Sequence, residues 1–365
     1  MISRPFRPLT GVVALAVLAA LAVQAPAAPA PKTFYVVKNL TSDGTTTPHT
    51  DPNLVNGWGL AAAPGSPWWV ANNGTDTSTL YLATGTPLGF LVVSVPGGPT
   101  GIVYNGSPNF VMKGGRKSAP ASFMFATEEG KIWGWSATVP GPLVSKDAMV
   151  VVDSSVGGAI YKGLAITTGA PGGDFLYAAD FHNGRVDVFD GEFNLVSAPS
   201  AFTDPDLPKG YGPFGIQNVG GHIFVAYARQ DESAHDEIAG AGFGFVDEFD
   251  AAGAFVTRVA SRGSLNAPWG IAMAPATGFG PFSGDLLIGN FGDGSVNVYG
   301  PGPTYTPMGP LKDKAGMPIV IDGLWGIAFG TGGAAGPKNV LYFAAGPENE
   351  AHGLFGSIKF KQSRF

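Results

Sequence analysis

A short motif that repeats six times constrains the fold of this chain more than any other feature. Each copy is a glycine preceded by an aromatic or polar residue and followed by an apolar residue, and consecutive copies start 42 to 62 residues apart. Repeats of this length are typical of propellers and solenoids, in which each unit is one supersecondary element. The six copies are Trp58–Ala61, Thr100–Val103, Lys162–Ala165, Phe214–Gln217, Trp269–Ala272 and Trp325–Ala328.

The sequence after each copy predicts further strands. A second apolar run ends near a polar residue, as in Leu176–Asp180, and a third run follows a tight turn, as in Arg185–Asp190. The dipeptides Asn183-Gly184 and Asp293-Gly294 are strong hairpin signals. A fourth run, such as Ala148–Asp153, completes most copies. We therefore expect an all-β fold, a six-bladed β-propeller of four-stranded antiparallel blades.

The two ends of the repeat region complement each other. The sixth copy ends after its third run, Gly353–Phe360, whereas the strand-like segment Phe34–Leu40 precedes the first copy. We expect Phe34–Leu40 to supply the outermost strand of blade six. This pairing closes the ring and removes two sheet edges that would otherwise favour aggregation.

The first thirty residues have the pattern of a signal peptide. Arg4 and Arg7 precede an apolar run, and small residues at Ala25 and Ala30 give two alternative cleavage sites. The run is shorter than the ~20 residues of a membrane-spanning helix, so no membrane span is expected. We expect a signal peptide over residues 1–30, a single propeller domain over 31–365, and a secreted or periplasmic protein. The chain has no cysteine, so burial rather than disulfides must stabilise it.

The net charge of the chain argues against two kinds of partner. Without Arg4 and Arg7 the chain carries 19 basic residues (21 less two) against 27 acidic ones. This excess of negative charge opposes binding to nucleic acid or to an anionic membrane. We expect a monomer whose partner is a small molecule, or an extracytoplasmic protein or glycan.

The repeat resembles that of the NHL-type propellers, and blade three, Gly163–Asp190, matches it best. In addition, Thr50–Gly59, Asp180–Gly184 and Glu350–Gly356 resemble segments of a bacterial exported family of NHL-like six-bladed propellers. The resemblance covers nearly all of the chain after residue 30. It implies the fold, but that family has no assigned activity, so it implies no catalytic residue.

Four of the five histidines are expected on one face of the propeller. We call it the upper face, where the innermost strands begin and the second strand of each blade turns into the third. Neutral imidazole is a good ligand for divalent metals, and loops from several blades can converge there. The candidate metal ligands are therefore His49, His182, His235 and His352, whereas His222 is expected on the opposite face. Solvated loop histidines with no shared ligand are the alternative, because no pair has the spacing of a metal motif.

Other polar and aromatic residues of the upper face are candidates for ligand binding. Lys162 takes a position that is aromatic in four other blades, and we expect it to pair with Asp180. Asp180 and Asn183 also suit a turn, since Asx side chains accept backbone N–H bonds. The tryptophans are equally compatible with a ligand platform and with packing between blades. The complete candidate set is Asp51, Asn53, Trp58, Lys162, Asp180, Asn183, Trp269, Asn290 and Trp325.

Two acidic insertions are predicted to border the same face. Arg229–Phe245 contains five ionisable residues between positions 231 and 237, and Gly346–His352 adds two glutamates. Long loops on a rigid scaffold often bind ligands, although acidic runs are more often only solvated. An acidic mouth favours a cation, and a divalent metal ion is therefore the candidate cofactor.

The sequence leaves two classes of function open. Fold analogy suggests a metal-dependent hydrolase, lactonase or lyase with its cation at the channel mouth. The alternative is a non-catalytic binding module for an extracytoplasmic partner or a glycan. The chain contains no nucleophile elbow, zincin helix, EF-hand loop or Walker loop, so no catalytic residue is assigned. Convergence of three or more of His49, Asp51, His182, His235 and His352 within ~5 Å would favour the enzyme, whereas a scattered set would favour the binding module.

Overall fold

The computed structural model describes residues 1–2, 33–170, 172–198 and 200–363. Nearly all of the predicted signal peptide lies outside these residues. The described strands form six small sheets around a central channel, together with one short hairpin. The predicted six-bladed propeller is therefore confirmed.

Each of the first three blades begins with its innermost strand. The first two strands, β1 (Thr33–Ser42) and β2 (His49–Thr50), precede these blades and belong to the sheet of blade six. Blade one then follows as β3 (Gly57–Ala61), β4 (Trp68–Asn72), β5 (Thr77–Tyr81) and β6 (Val93–Ser94). Blade two contains β7 (Pro99–Tyr104), the separate hairpin β8 (Val111–Gly114) and β9 (Lys117–Pro120), and then β10 (Phe123–Thr127), β11 (Lys131–Trp135) and β12 (Met149–Asp153). Blade three has three strands: β13 (Tyr161–Ala170), β14 (Gly173–Asp180) and β15 (Arg185–Asp190).

The remaining blades repeat the same order. Blade four contains β16 (Tyr211–Val219), β17 (His222–Arg229), β18 (Gly244–Phe249) and β19 (Phe255–Ser261). Blade five contains β20 (Pro268–Met273), β21 (Leu286–Asn290), β22 (Val296–Tyr299) and β23 (Pro307–Pro310). Blade six contains β24 (Leu324–Phe329), β25 (Leu341–Ala345), β26 (Leu354–Gln362), then β1 and β2. Single-turn 3-10 helices lie at Asn73–Thr75, Ser155–Gly157, Gly280–Phe282 and Gly333–Ala335.

The N-terminal strand closes the ring as the sequence predicts. β1 pairs antiparallel with β26 along its whole length, with Val37 opposite Ile358. Tyr35 is buried, and its hydroxyl donates a 2.7 Å hydrogen bond to the carbonyl of Phe279 in blade five. β2 adds a two-residue parallel contact at the outer edge of β1. The first and last described strands are thus parts of one sheet.

The glycine of the repeat is required where neighbouring blades meet. A Cβ on Gly215 would lie 2.0 Å from the Trp269 carbonyl oxygen, and one on Gly326 would lie 2.7 Å from that of Trp58. Each of the six glycines is similarly close to the next blade's innermost strand, including blade six against blade one. The repeat therefore encodes the close approach of six strands around the channel.

No helix among the described residues combines the length and apolar character required to cross a bilayer.

Candidate functional site

The upper end of the channel is filled by aromatic side chains. The residues before the repeat glycines supply four of them, and Phe181 and Phe291 add two more. Trp58 and Trp325 stack with their ring centroids 3.6 Å apart, and the other face of Trp325 stacks on Phe291 at 4.0 Å. We call this group the aromatic plug: Trp58, Phe181, Phe214, Trp269, Phe291 and Trp325. It shows that the candidates Trp58 and Trp325 are packed side chains, with only 2% and 0% of their surface exposed.

Lys162 lies against the plug and is the centre of an ionic cluster. Its ammonium nitrogen is 5.3 Å from the centroid of the Trp58 ring, and its side chain is only 1% exposed. Nζ donates to Glu128 Oε1 at 2.5 Å and to Asp236 Oδ1 at 3.1 Å. The predicted pairing of Lys162 with Asp180 is therefore wrong. Carboxylates from blades two and four are closer because Asp180 is held in the turn of its own blade.

Two further carboxyl groups complete what we call the mouth cluster: Glu128, Lys162, Asp236, Glu237 and Glu350. Burial raises the pKa of Glu237 to about 8, although the charge of Lys162 opposes this shift. Burial, together with the charge of Glu128, also raises the pKa of Glu350, which accepts a 2.9 Å hydrogen bond from Asn56. The four carboxyl groups of the cluster therefore outnumber its single ammonium group.

The pKa of Lys162 is raised despite its burial. Burial by itself lowers that pKa, but the charges of Glu128, Glu237 and Asp236 outweigh it. The pKa of Asp236 is lowered, since hydrogen bonds from His235 and Lys162 outweigh its own desolvation. Lys162 and Asp236 are thus both held in their charged forms.

Asp180 and Asn290 end the second strands of their blades, and Asn183 lies in the turn that follows Asp180. Asp180 is fully buried and accepts hydrogen bonds from the backbone N–H groups of Ile160 and Asn183 and from the Asn183 side chain. The Asn290 amide donates to the Ser264 carbonyl at 2.7 Å. These contacts connect the segment that enters each blade with the end of its second strand and, in blade three, with the following turn, as the turn interpretation predicts for Asp180.

Asp51 and Asn53 also make local contacts. One oxygen of Asp51 accepts from the backbone and side-chain nitrogens of Asn53, both at 3.0 Å. The other accepts from the buried Tyr81 hydroxyl at 2.9 Å. Asp51 therefore fixes the entry to blade one, outside the mouth cluster.

The four candidate histidines occupy separate positions. His49 lies in β2, and the exposed His182 lies beside Gly158. His352 Nδ1 is 2.7 Å from Asp43 Oδ2, and this contact raises the pKa of His352. His235 lies at the mouth cluster, with Nδ1 2.8 Å from Asp236 Oδ1. His222 pairs with Glu248 at 2.7 Å.

One group within the described ranges combines three potential metal ligands. Ligand atoms of Glu128, His235 and Asp236 lie within 4.8 Å of one another. Two carboxylates and one imidazole form a mixed oxygen and nitrogen donor set, which suits a divalent transition metal. The site thus includes one of the four predicted histidines.

Glu128 is the residue that sequence reasoning missed. It follows β10 in Thr127-Glu128-Glu129-Gly130, the same loop of its blade that Asp180–Gly184 forms in blade three. Its second oxygen accepts from Asn73 at 2.8 Å, so blade one orients it as well. Comparison of equivalent loops between blades would have identified it.

Sequence comparison finds relatives over most of the chain, although no family model matches it. The chain is 38% identical over 345 residues to "Uncharacterized protein R648" of Acanthamoeba polyphaga mimivirus, covering 90% of this chain and 80% of the relative. It is 35% identical over 332 residues to "Uncharacterized protein L690" of the same virus, covering 85% and 81%. These relatives are viral, so the bacterial and exported character of the family is not confirmed.

Solved structures with similar folds include two sugar dehydrogenases. The apo soluble aldose sugar dehydrogenase of Escherichia coli has a TM-score of 0.53 at 14% identity, and the match covers 89% of this chain and 99% of the dehydrogenase chain. A glucose dehydrogenase has a TM-score of 0.52 at 13% identity, with coverage of 88% and 99%. A Bacteroides thetaiotaomicron protein of unknown function has a TM-score of 0.55 at 9% identity, with coverage of 90% and 77%. Identities this low establish a common fold, and the sequence matches establish that the chain belongs to the family of the mimivirus proteins R648 and L690.

Proposed function

We propose that the mouth cluster binds a divalent cation, with Glu128, His235 and Asp236 as its ligands. The observation that carries this proposal is the convergence of their ligand atoms within 4.8 Å. The charge balance of the mouth cluster supports it, because the single ammonium group of Lys162 faces the four carboxyl groups of Glu128, Asp236, Glu237 and Glu350 and does not fully compensate them. A cation would complete that compensation.

The chemistry of the site fits a metal-dependent hydrolase, lactonase or lyase. A bound divalent cation polarises carbonyl oxygens and lowers the pKa of bound water. Glu237 follows the proposed ligand Asp236 in the sequence and is the candidate group for proton transfer in such a reaction. A small polar substrate would reach the cluster from the side of His235 and Asp236, whose side chains are 49% and 63% exposed.

Non-catalytic binding is the second candidate, and the scatter of the predicted ligands favours it. Of His49, Asp51, His182, His235 and His352, only His235 lies in the group of converging ligand atoms among the described residues. An acidic rim suits a cation-dependent contact with a partner molecule outside the cytoplasm. Export itself is proposed from the N-terminal pattern, and N-terminal sequencing of secreted protein tests it.

The cation site is tested by metal analysis of the purified protein and by calorimetric titration with Zn²⁺, Mn²⁺ and Ca²⁺. We expect one cation to bind, and Glu128→Gln to weaken that binding at least about tenfold, as loss of a charged ligand should. His222→Ala is the matched control, because His222 pairs with Glu248 away from the cluster. Equal affinity in both variants would reject the site.

The choice between the two functions is tested by screening ester, lactone and lyase substrates with and without chelator. Turnover that the chelator abolishes and Glu128→Gln reduces supports the enzyme. Cation binding without turnover by any substrate class supports the binding module.

A further inference from the structure

The channel contains a cavity on the other side of the aromatic plug. This lower cavity has a volume of about 500 Å³ and is lined by the second halves of the six innermost strands. Its size is within the roughly 300–1,000 Å³ typical of small-molecule sites. None of the described residues that line it has a charged side chain, so it suits a neutral ligand.

Hydrogen-bonding groups nevertheless surround the lower cavity. Each innermost strand is the last strand of its sheet and therefore presents one edge of backbone N–H and C=O groups to the channel. The side chains of Gln217, Asn218 and Thr331 add polar groups to the lining. A ligand here would be both neutral and rich in hydrogen-bonding groups.

Trp269 forms the boundary between the plug and the lower cavity. It is partly exposed and lines the cavity, whereas Trp58 and Trp325 are buried. Its Nε1 donates a 2.9 Å hydrogen bond to the Lys162 carbonyl, which fixes the ring. An aromatic surface is therefore held rigidly at the end of the cavity.

The packing of the plug indicates which surface of Trp269 is open. Its ring is nearly perpendicular to Trp58 (82°) and to Trp325 (83°), with centroids 6.2 and 6.0 Å away. Both faces of Trp325 are covered, by Trp58 and by Phe291, so its edge must meet Trp269. If these edges meet one face of Trp269, the opposite face is the one left open to the cavity that Trp269 lines.

We propose that the lower cavity binds a neutral sugar ring that stacks on the open face of Trp269. The apolar C–H face of a sugar matches an aromatic surface, and its hydroxyl groups match the strand edges, which both donate and accept hydrogen bonds. A charged ligand would lose hydration without gaining a charged partner. This site is separate from the cation site, since the plug lies between them.

The test is saturation-transfer NMR and calorimetry with D-glucose and D-galactose, compared with the cation D-glucosamine and the anion D-glucuronate. We expect at least one neutral sugar to bind with a millimolar or lower dissociation constant, and both charged analogues to bind at least about tenfold more weakly. No transfer to either neutral sugar at about 50 mM would overturn the proposal. So would equal binding of the charged analogues.

Substitutions of Trp269 test whether the sugar binds at this residue. Trp269→Ala should weaken sugar binding at least about tenfold, whereas Trp133→Ala, a partly buried indole of blade two, should leave it unchanged. If the alanine variant does not fold, Trp269→Phe replaces it as the test, because phenylalanine keeps an aromatic face. It should retain binding within about threefold but lose the sugar-induced change in indole fluorescence. Full binding by Trp269→Ala, or an unchanged fluorescence response in Trp269→Phe, would overturn the assignment.

Discussion

Lys162 illustrates how one residue changes the chemistry of a repeated position. The equivalent residues of blades one, four, five and six are aromatic and form the plug. Lys162 instead places an ammonium group beside Trp58, where carboxylates from neighbouring blades converge. A buried ammonium requires such partners, because an unpaired charge would be strongly destabilising. The mouth cluster is thus built around a single departure from the repeat.

At the same scale, Glu237 should make stability depend on pH. Its folded pKa of about 8 is above the ordinary value of 4.5, so the folded state keeps a proton that the unfolded state has lost. Stability from this group is complete below the unfolded pKa and is lost as pH rises toward 8, with a slope of up to about 1.4 kcal/mol per pH unit. Urea unfolding between pH 5 and pH 9 measures this loss.

Glu237→Gln should reduce the slope of that profile, because the amide is neutral at every pH, while Asp247, whose pKa burial also raises to about 8, keeps part of the dependence. Glu129→Gln is the control, since Glu129 pairs with Lys131 on the surface. A profile for Glu237→Gln as steep as that of the unchanged protein would show that another group controls the pH dependence.

At the scale of elements, the innermost strands determine how closely the blades approach. Their side chains pack between blades, as Ile216 does between β16 and its neighbours, while the glycine contacts the next backbone directly. Backbone atoms cannot move aside as a flexible side chain can. The glycine position should therefore tolerate substitution less than other positions of the same strand.

Gly215→Ala tests this packing. The added Cβ would lie 2.0 Å from the Trp269 carbonyl oxygen, so we expect a loss of about 1–3 kcal/mol in the free energy of unfolding. Gly157→Ala is the control, because its Cβ would meet no atom within 4 Å. Thermal and denaturant unfolding give both values, and equal stability of the two variants would contradict the steric explanation.

At the scale of the whole molecule, closure of the ring depends on β1. The strand pairs with β26 and buries Tyr35 and Leu40. Each large apolar side chain buried in this way contributes about 1.5–3 kcal/mol. Without β1, the long strand β26 would become an open sheet edge.

A chain starting at Asp43 should therefore lose cooperative unfolding or aggregate, whereas one starting at Thr33 should fold as the full chain does. Circular dichroism melting and size-exclusion chromatography distinguish these outcomes. Equal melting temperatures for the two truncated chains would show that β1 is dispensable.

The sequence by itself determined the blade count, the innermost strands and the ring closure. These features depend on patterns that are local in the sequence. They are the glycine that the close backbone contact between blades requires, the apolar runs, and tight turns such as Asn183-Gly184. The export signal and the single domain stay predictions. The contact between Asp180 and Asn183 was also foreseeable, because the two residues are only three positions apart in the chain.

Only the tertiary structure decided which charges meet. Glu128, Lys162, Asp236 and Glu350 belong to four different blades, and no spacing along the chain encodes their contact. Sequence reasoning therefore paired Lys162 with the nearby Asp180 and omitted Glu128. The physical reason is that loops from different blades meet at the centre of a propeller. The partners of a buried charge therefore depend on how the blades are arranged around the channel, and the sequence of a single repeat does not specify them.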